Sequence, residues 1–149
     1  MRTITAALLL FCLACQADQR PQAIEPQDAC AGCRMAISQS RYAAQVVDRD
    51  GVALKFDDIG CMRRYVREHR PAQARIYVMD YVNQQWLAAE TAVYVRSEAI
   101  DSPMASGLAA FHDQPAASRF LQENDGALTS FPELMTRESG PTQHADQHR

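Results

Sequence analysis

The chain has 149 residues, 47% of them hydrophobic and 22% charged, with a formal charge of −3 at neutral pH. That length suits one domain with a real core, and the mild acidity excludes the electrostatic footprint of a nucleic-acid binder. After the first few residues no stretch approaches the roughly 18 consecutive apolar residues of a membrane-spanning helix.

Arg2, the apolar run Ala6 to Leu13 and the sequence Leu13-Ala14-Cys15 together read as a lipoprotein signal. Residues 1–14 are then removed and Cys15 carries the lipid, so membrane attachment is through an anchor. Cys12 stands where the processing motif usually has Leu. Gln16, rather than Asp, follows Cys15 and favours the outer membrane over the inner. The expected location is therefore the periplasm. Losing Arg2 takes the formal charge to −4.

Residues 15–28 are polar, with Pro21 and Pro26, and read as a flexible tether. The domain is expected over 29–136. Tyr42 to Val47 has the pattern of a strand, Asp50-Gly51 of a hairpin turn, and Val52 to Phe56 of the partner strand. Asp57 or Asp58 can cap a helix from Ile59 to His69, whose apolar stripe is Ile59, Met62, Tyr65 and Val66. Pro71 ends it. Strands follow at Arg75 to Tyr81, Ala92 to Val95 and Leu108 to Phe111. A second helix runs from about Pro115, in its first turn, to Asn124, with Gly126 as terminator. Ala127 to Phe131 reads as a last strand. Residues 137–149 are polar, with His144 and His148, and their composition predicts a disordered tail.

The pattern repeats once. Phe56-x-Asp58 followed by Arg64-Tyr65-Val66-x-Glu68 aligns without gaps on Phe111-x-Asp113 followed by Arg119-Phe120-Leu121-x-Glu123. Each copy is hairpin, capped helix, strand. The predicted fold is α+β: two ββαβ-type repeats sharing a core in a single small domain.

With Cys12 and Cys15 accounted for, Cys30, Cys33 and Cys61 remain, an odd number for an oxidising compartment. Cys30-Ala31-Gly32-Cys33-Arg34-Met35 concentrates two thiols and a thioether in six positions. A Cys30–Cys33 disulfide is one reading of the pair. A dithiol redox centre is another, but it prefers a cysteine at a helix N-terminus after a strand. Structural zinc needs four ligands, usually paired. Met35 favours a soft-metal site, because thioether and thiolate sulfur select Cu(I). Met104, in the turn-rich Ser102-Pro103-Met104-Ala105-Ser106-Gly107, is placed to project into a site, whereas Met62 and Met79 fit core patterns. Cys61 and His112 are near-site candidates whose commoner roles are a buried small hydrophobe and a surface or capping histidine. Asp57 and Asp58 read as helix caps. No catalytic constellation or phosphate loop appears, so no enzyme is expected; the alternative is a periplasmic thiol-disulfide oxidoreductase using Cys30 and Cys33.

Three blocks together, Cys-x-x-Cys-x-Met, Phe56-Asp57-Asp58-Ile59-Gly60-Cys61-Met62 and Ser102-Pro103-Met104-x-Ser106-Gly107, resemble the NosL family of accessory lipoproteins over about residues 28–134. The resemblance implies a Cu(I)-binding chaperone for maturation of the nitrous oxide reductase copper centres, with that enzyme or its membrane ABC-type maturation complex as partner. It also implies a fold of two ββαβ units. Carried over by position, Cys33 and Met35 match the family's Cys-Gly-Met and Met104 its Ser-Pro-Met, with Cys30 present in many members. The implied copper ligands are Cys33 and Met104, supplemented by Met35 and Cys30. Arg34 and Ala105 stand where the family commonly has Gly.

Overall fold

The structure, a computed structural model, describes residues 18–136. The signal segment with Cys15, and the tail with His144 and His148, lie outside the described residues.

Strands β1 (Ala44–Val47) and β2 (Ala53–Phe56) form a hairpin; α1 (Ile59–His69) follows, then β3 (Arg75–Met79) and β4 (Trp86–Ala88). The second half runs β5 (Val93–Arg96), β6 (Leu108–Phe111), α2 (Gln114–Glu123), β7 (Ala127–Thr129) and α3 (Phe131–Thr136). The first hairpin turns because the Asp48 carboxylate accepts the Asp50 and Val52 amides, both at 2.9 Å, while Gly51 takes φ +81°. β3 returns antiparallel to β1, with Ala44 opposite Val78, and β4 adds an edge. In the second sheet, ordered β6-β5-β7, β7 likewise returns to the first strand of its hairpin. The fold is therefore the expected α+β pair of ββαβ units.

The repeated Phe-x-Asp has the same job twice. Phe56 and Phe111 are buried, and Asp58 and Asp113 cap the two helices, accepting Gly60 N–H at 2.5 Å and Ala116 N–H at 2.7 Å. The units meet where Asp80 bridges Ala110, with the Tyr81 amide 2.8 Å from the Ala110 carbonyl. One core draws on both units: Val46, Phe56, Ile59 and Met62 pack with Tyr94, Leu108 and Leu134. Each such side chain contributes about 1.5–3 kcal/mol by leaving water. A second cluster gathers Tyr42, Val95, Phe111 and Ala116, edged by Tyr81 and Phe120.

Three expectations shift. Tyr42 belongs to a 3₁₀ turn, Ser40–Tyr42, so β1 starts at Ala44. The edge strand β4 is too short to show a period. The strand expected to reach Phe131 stops at Thr129, because Ser130-Phe131-Pro132-Glu133 opens α3: Glu133 reaches back to the Ser130 amide at 2.8 Å, the capping-box return bond.

Residues 18–28, which read as tether, lie along the first sheet. The Gln19 side chain donates to the Gln73 carbonyl at 2.7 Å, and Tyr77 OH donates to the Gln19 carbonyl at 2.9 Å. Gln45, fully buried, exchanges two bonds with the Gln22 backbone at 2.6 and 2.9 Å. Among the described residues no helix is long and apolar enough to cross a membrane.

Candidate metal centre

Three segments converge at the N-terminal end of α1. The first is the loop carrying Cys30, Cys33 and Met35. Ala29 pairs with Ala36, and the Cys30 amide donates to the Met35 carbonyl at 2.8 Å, closing the loop at its base. Inside it the Arg34 amide donates to the Cys30 carbonyl at 2.8 Å, which Arg34 achieves at φ +68°, in the left-handed region. The loop is pinned to β2 by the Ala31 amide on the Lys55 carbonyl at 2.8 Å. The Lys55 ammonium in turn holds Asp28 and the Ala23 carbonyl, both at 2.6 Å. That hydrogen bond, with help from the Glu25 amide, keeps the Asp28 carboxyl below its ordinary range.

The second segment is the junction of β2 and α1. Asp58 is spent on the helix cap. Asp57, 1% exposed, faces the loop, and the Cys33 thiol donates to its carboxylate with Sγ 3.6 and 3.7 Å from the two oxygens. Cys61, in the first turn of α1, faces the same way: a Cβ on Gly32 would sit 3.5 Å from the Cys61 Cβ. The sulfurs of Cys30, Cys33 and Cys61 and one Asp57 oxygen all lie within 4.8 Å of one another. Cys30 and Cys61 are buried, Cys33 is half-buried, and all three are free thiols.

Burial pushes the Cys30 thiol up from its ordinary pKa, and the hydrogen bond with Asp57 adds to the rise; the amides of Asp57, Cys33 and Gly32 act in the opposite direction. Cys61 is pushed far up, first by burial and then by the neighbouring Cys30, Asp57 and Cys33. Both are therefore protonated thiols at neutral pH, and a metal ion binding there would have to displace their protons.

The third segment is the 102–107 loop. Its turn is set by the Ala105 amide on the Ser102 carbonyl at 2.8 Å and the Ser106 amide on the Ser102 hydroxyl at 3.1 Å. Ala105 takes φ +51° and Gly107 φ +63°. The Met104 amide donates to Asp58 at 3.3 Å, so one carboxylate both caps α1 and docks this loop beside it. Met104 is 36% exposed and Met35 59% exposed, so both thioether side chains stand toward solvent.

The structure thus brings Cys30 and Cys33 together and ties the Met104 backbone to the residue adjoining Asp57. It also brings the near-site candidate Cys61 into the cluster and adds Asp57. Asp57 escaped the sequence reading because either of two adjacent aspartates can cap a helix; the signal was that only one is needed. His112 is elsewhere, with Nδ1 3.0 Å from Asp80 and Nε2 3.5 Å from Asp113. It is no member of the sulfur cluster.

This is a small α+β domain with a soft-donor cluster at one helix end, a candidate metal-binding domain. The NosL family model matches residues 21–139, and the chain belongs to the NosL family. Its fold is similar to that of the copper chaperone NosL from Shewanella denitrificans, at TM-score 0.70 and 17% identity, covering 81% of this chain and 99% of that one. A comparison with curated proteins found no match.

Proposed function

We propose that this protein carries Cu(I) in the periplasm, anchored by lipid at Cys15, and delivers it for maturation of the nitrous oxide reductase copper centres. The observation that carries the reading is the convergence of free thiols at the N-terminal end of α1, against which the Met104 loop is docked. Sulfur donors of this kind suit a soft monovalent ion and suit hard cations poorly. Membership of the NosL family and the similarity of fold to a copper chaperone support the same cargo. Cys33 and Met104 bind copper directly; Met35 and Cys30 supplement them or take part in transfer. Copper is cargo here, so no catalytic step is assigned to any residue.

The donors run from buried thiols to exposed thioethers. A partner approaching from solvent meets Met35 and Met104 first and can replace ligands one at a time, which a carrier needs and a closed store does not. Thiol oxidoreduction fits less well. The attacking thiol of such an enzyme has a lowered pKa and an accessible sulfur, whereas Cys30 is fully buried and its thiol is pushed up.

The test is transfer. Copper-loaded protein mixed with membranes holding the ABC-type maturation complex, and with copper-free nitrous oxide reductase, should pass its copper to that fraction. Retention of copper by the loaded protein, together with measurable insulin-disulfide reduction, would favour the oxidoreductase instead.

A further inference from the structure

Cys61 takes no part in the ligand set above, yet its sulfur lies in the same cluster. We propose that Cys61 is a third thiolate ligand, so that Cys30, Cys33 and Cys61 form an inner three-sulfur position for Cu(I), with Cys33 shared between it and an outer position at the exposed thioethers. This inference rests on the copper reading just given and adds a second place for the ion.

The geometry is close to what such a site requires. Three sulfurs each about 2.3 Å from one ion stand about 4 Å apart. The present separations are at most 4.8 Å, so closure needs shifts of under about 1 Å. Two of the three sulfurs come from rigid supports: Cys61 from the first turn of α1, and Cys30 from the base of a loop bonded to Met35 and Lys55 through their carbonyls.

Two features beside Cys61 offset part of the burial that otherwise keeps these thiols protonated. Cys61 sits at the positive end of α1, and the Arg64 guanidinium lies 3.8 Å from its sulfur. Asp57 contributes a hard oxygen, poorly matched to Cu(I), and serves as hydrogen-bond partner of Cys33 rather than as a fourth ligand.

Binding at the inner position breaks the S–H bonds and forms Cu–S bonds. The protons leave to solvent, copper stays Cu(I), and no electron is transferred. Exposure grades from 0% at Cys30 and 2% at Cys61 to 36% at Met104 and 59% at Met35. An ion held by the inner thiols is shielded; moved outward on Cys33, it reaches the thioethers and any partner. The inner position retains copper and the outer one hands it over.

The test uses two variants of the full domain loaded with Cu(I). In Met35→Ala/Met104→Ala the thioethers are gone, and X-ray absorption should show three sulfur neighbours around the copper that still binds, although more weakly than in wild type. Two sulfur neighbours in that variant would overturn the proposal. Cys61→Ala should lower affinity by about 10–100-fold or more, since losing a ligand costs at least as much as losing an outer partner, and should speed copper release to a chelator. If Cys61→Ala leaves affinity and release unchanged, the proposal fails while the carrier function stands. If wild-type protein binds no copper, both fall. The thioether-free variant alters only exposed side chains, so it decides the matter even where Cys61→Ala fails to fold.

Discussion

Gly60→Ala is the sharpest perturbation of how the Met104 loop is docked. A Cβ at residue 60 would lie 2.7 Å from the Ser106 Cβ and 2.9 Å from the Asp58 carboxylate, where ordinary contact begins at 3.4 Å. The loop must therefore retreat by about 0.7 Å, or the cap must give way. Overpacking of this kind costs about 1–3 kcal/mol, offset by up to about 1 kcal/mol from alanine's better helix propensity. The net loss is about 0–2 kcal/mol, which for a domain of this size lowers Tm by up to roughly 10 °C. Displacing the loop also moves Met104, so copper affinity falls although no donor atom has been removed. Gly32→Ala is the matched control for stability: its Cβ meets neighbours only at 3.5–3.8 Å, ordinary contact distance. Thermal melts and copper titrations of the two variants check this. A Gly60→Ala protein as stable as wild type with unchanged copper affinity would refute the docking of 102–107 on α1.

Arg34 and Ala105 occupy left-handed backbone at φ +68° and +51°. Replacing either by Gly relieves about 1–2 kcal/mol of strain against about 0.5–1 kcal/mol of added unfolded-chain freedom, so each variant should melt slightly higher; a lower Tm for both would contradict the backbone geometry. Lys55→Met releases Asp28 and the Ala23 carbonyl and should cost about 1–3 kcal/mol in chemical denaturation. Asp28's lowered pKa contributes stability above its unfolded value that is lost as pH falls through the lower folded one. The variant should therefore lose part of the wild type's stability decline in acid, and an identical acid profile would argue against the pair. The raised pKa values of Cys30 and Cys61 have the opposite sign. Stability of the metal-free protein is fully present below the unfolded thiol pKa, about 8.5, and declines above it. Copper must displace those protons, so its apparent affinity should rise with pH, by about tenfold per unit for each thiol displaced. A pH-independent affinity between pH 6 and 8 would mean that thioethers alone bind the metal.

Much of the architecture was legible because its signals are local. The Asp50-Gly51 turn, the Phe-x-Asp entries to both helices and the repeat between them need no distant partner to be recognised. β4 and α3 were missed because three and six residues carry too little period, although Ser130-x-x-Glu133 signalled α3. At the site, Cys30 and Cys33 were legible from spacing. Cys61 was legible only as a near-site residue and Asp57 only as a helix cap, because their meeting with the loop depends on the angle at which α1 leaves β2. The glycines that the resemblance implies at 34 and 105 would suit the backbone here: both positions have positive φ. For His112, nothing in the sequence predicted that the buried Asp80, 32 residues earlier, would claim it.

The claim that these sulfurs form one copper site is tested most directly by titrating the thiol-reduced protein with Cu(I) against a chromogenic chelator. Wild-type protein should take up one tight equivalent, and Cys33→Ala and Met104→Ala should each weaken it. Affinity unchanged in both variants would contradict the site.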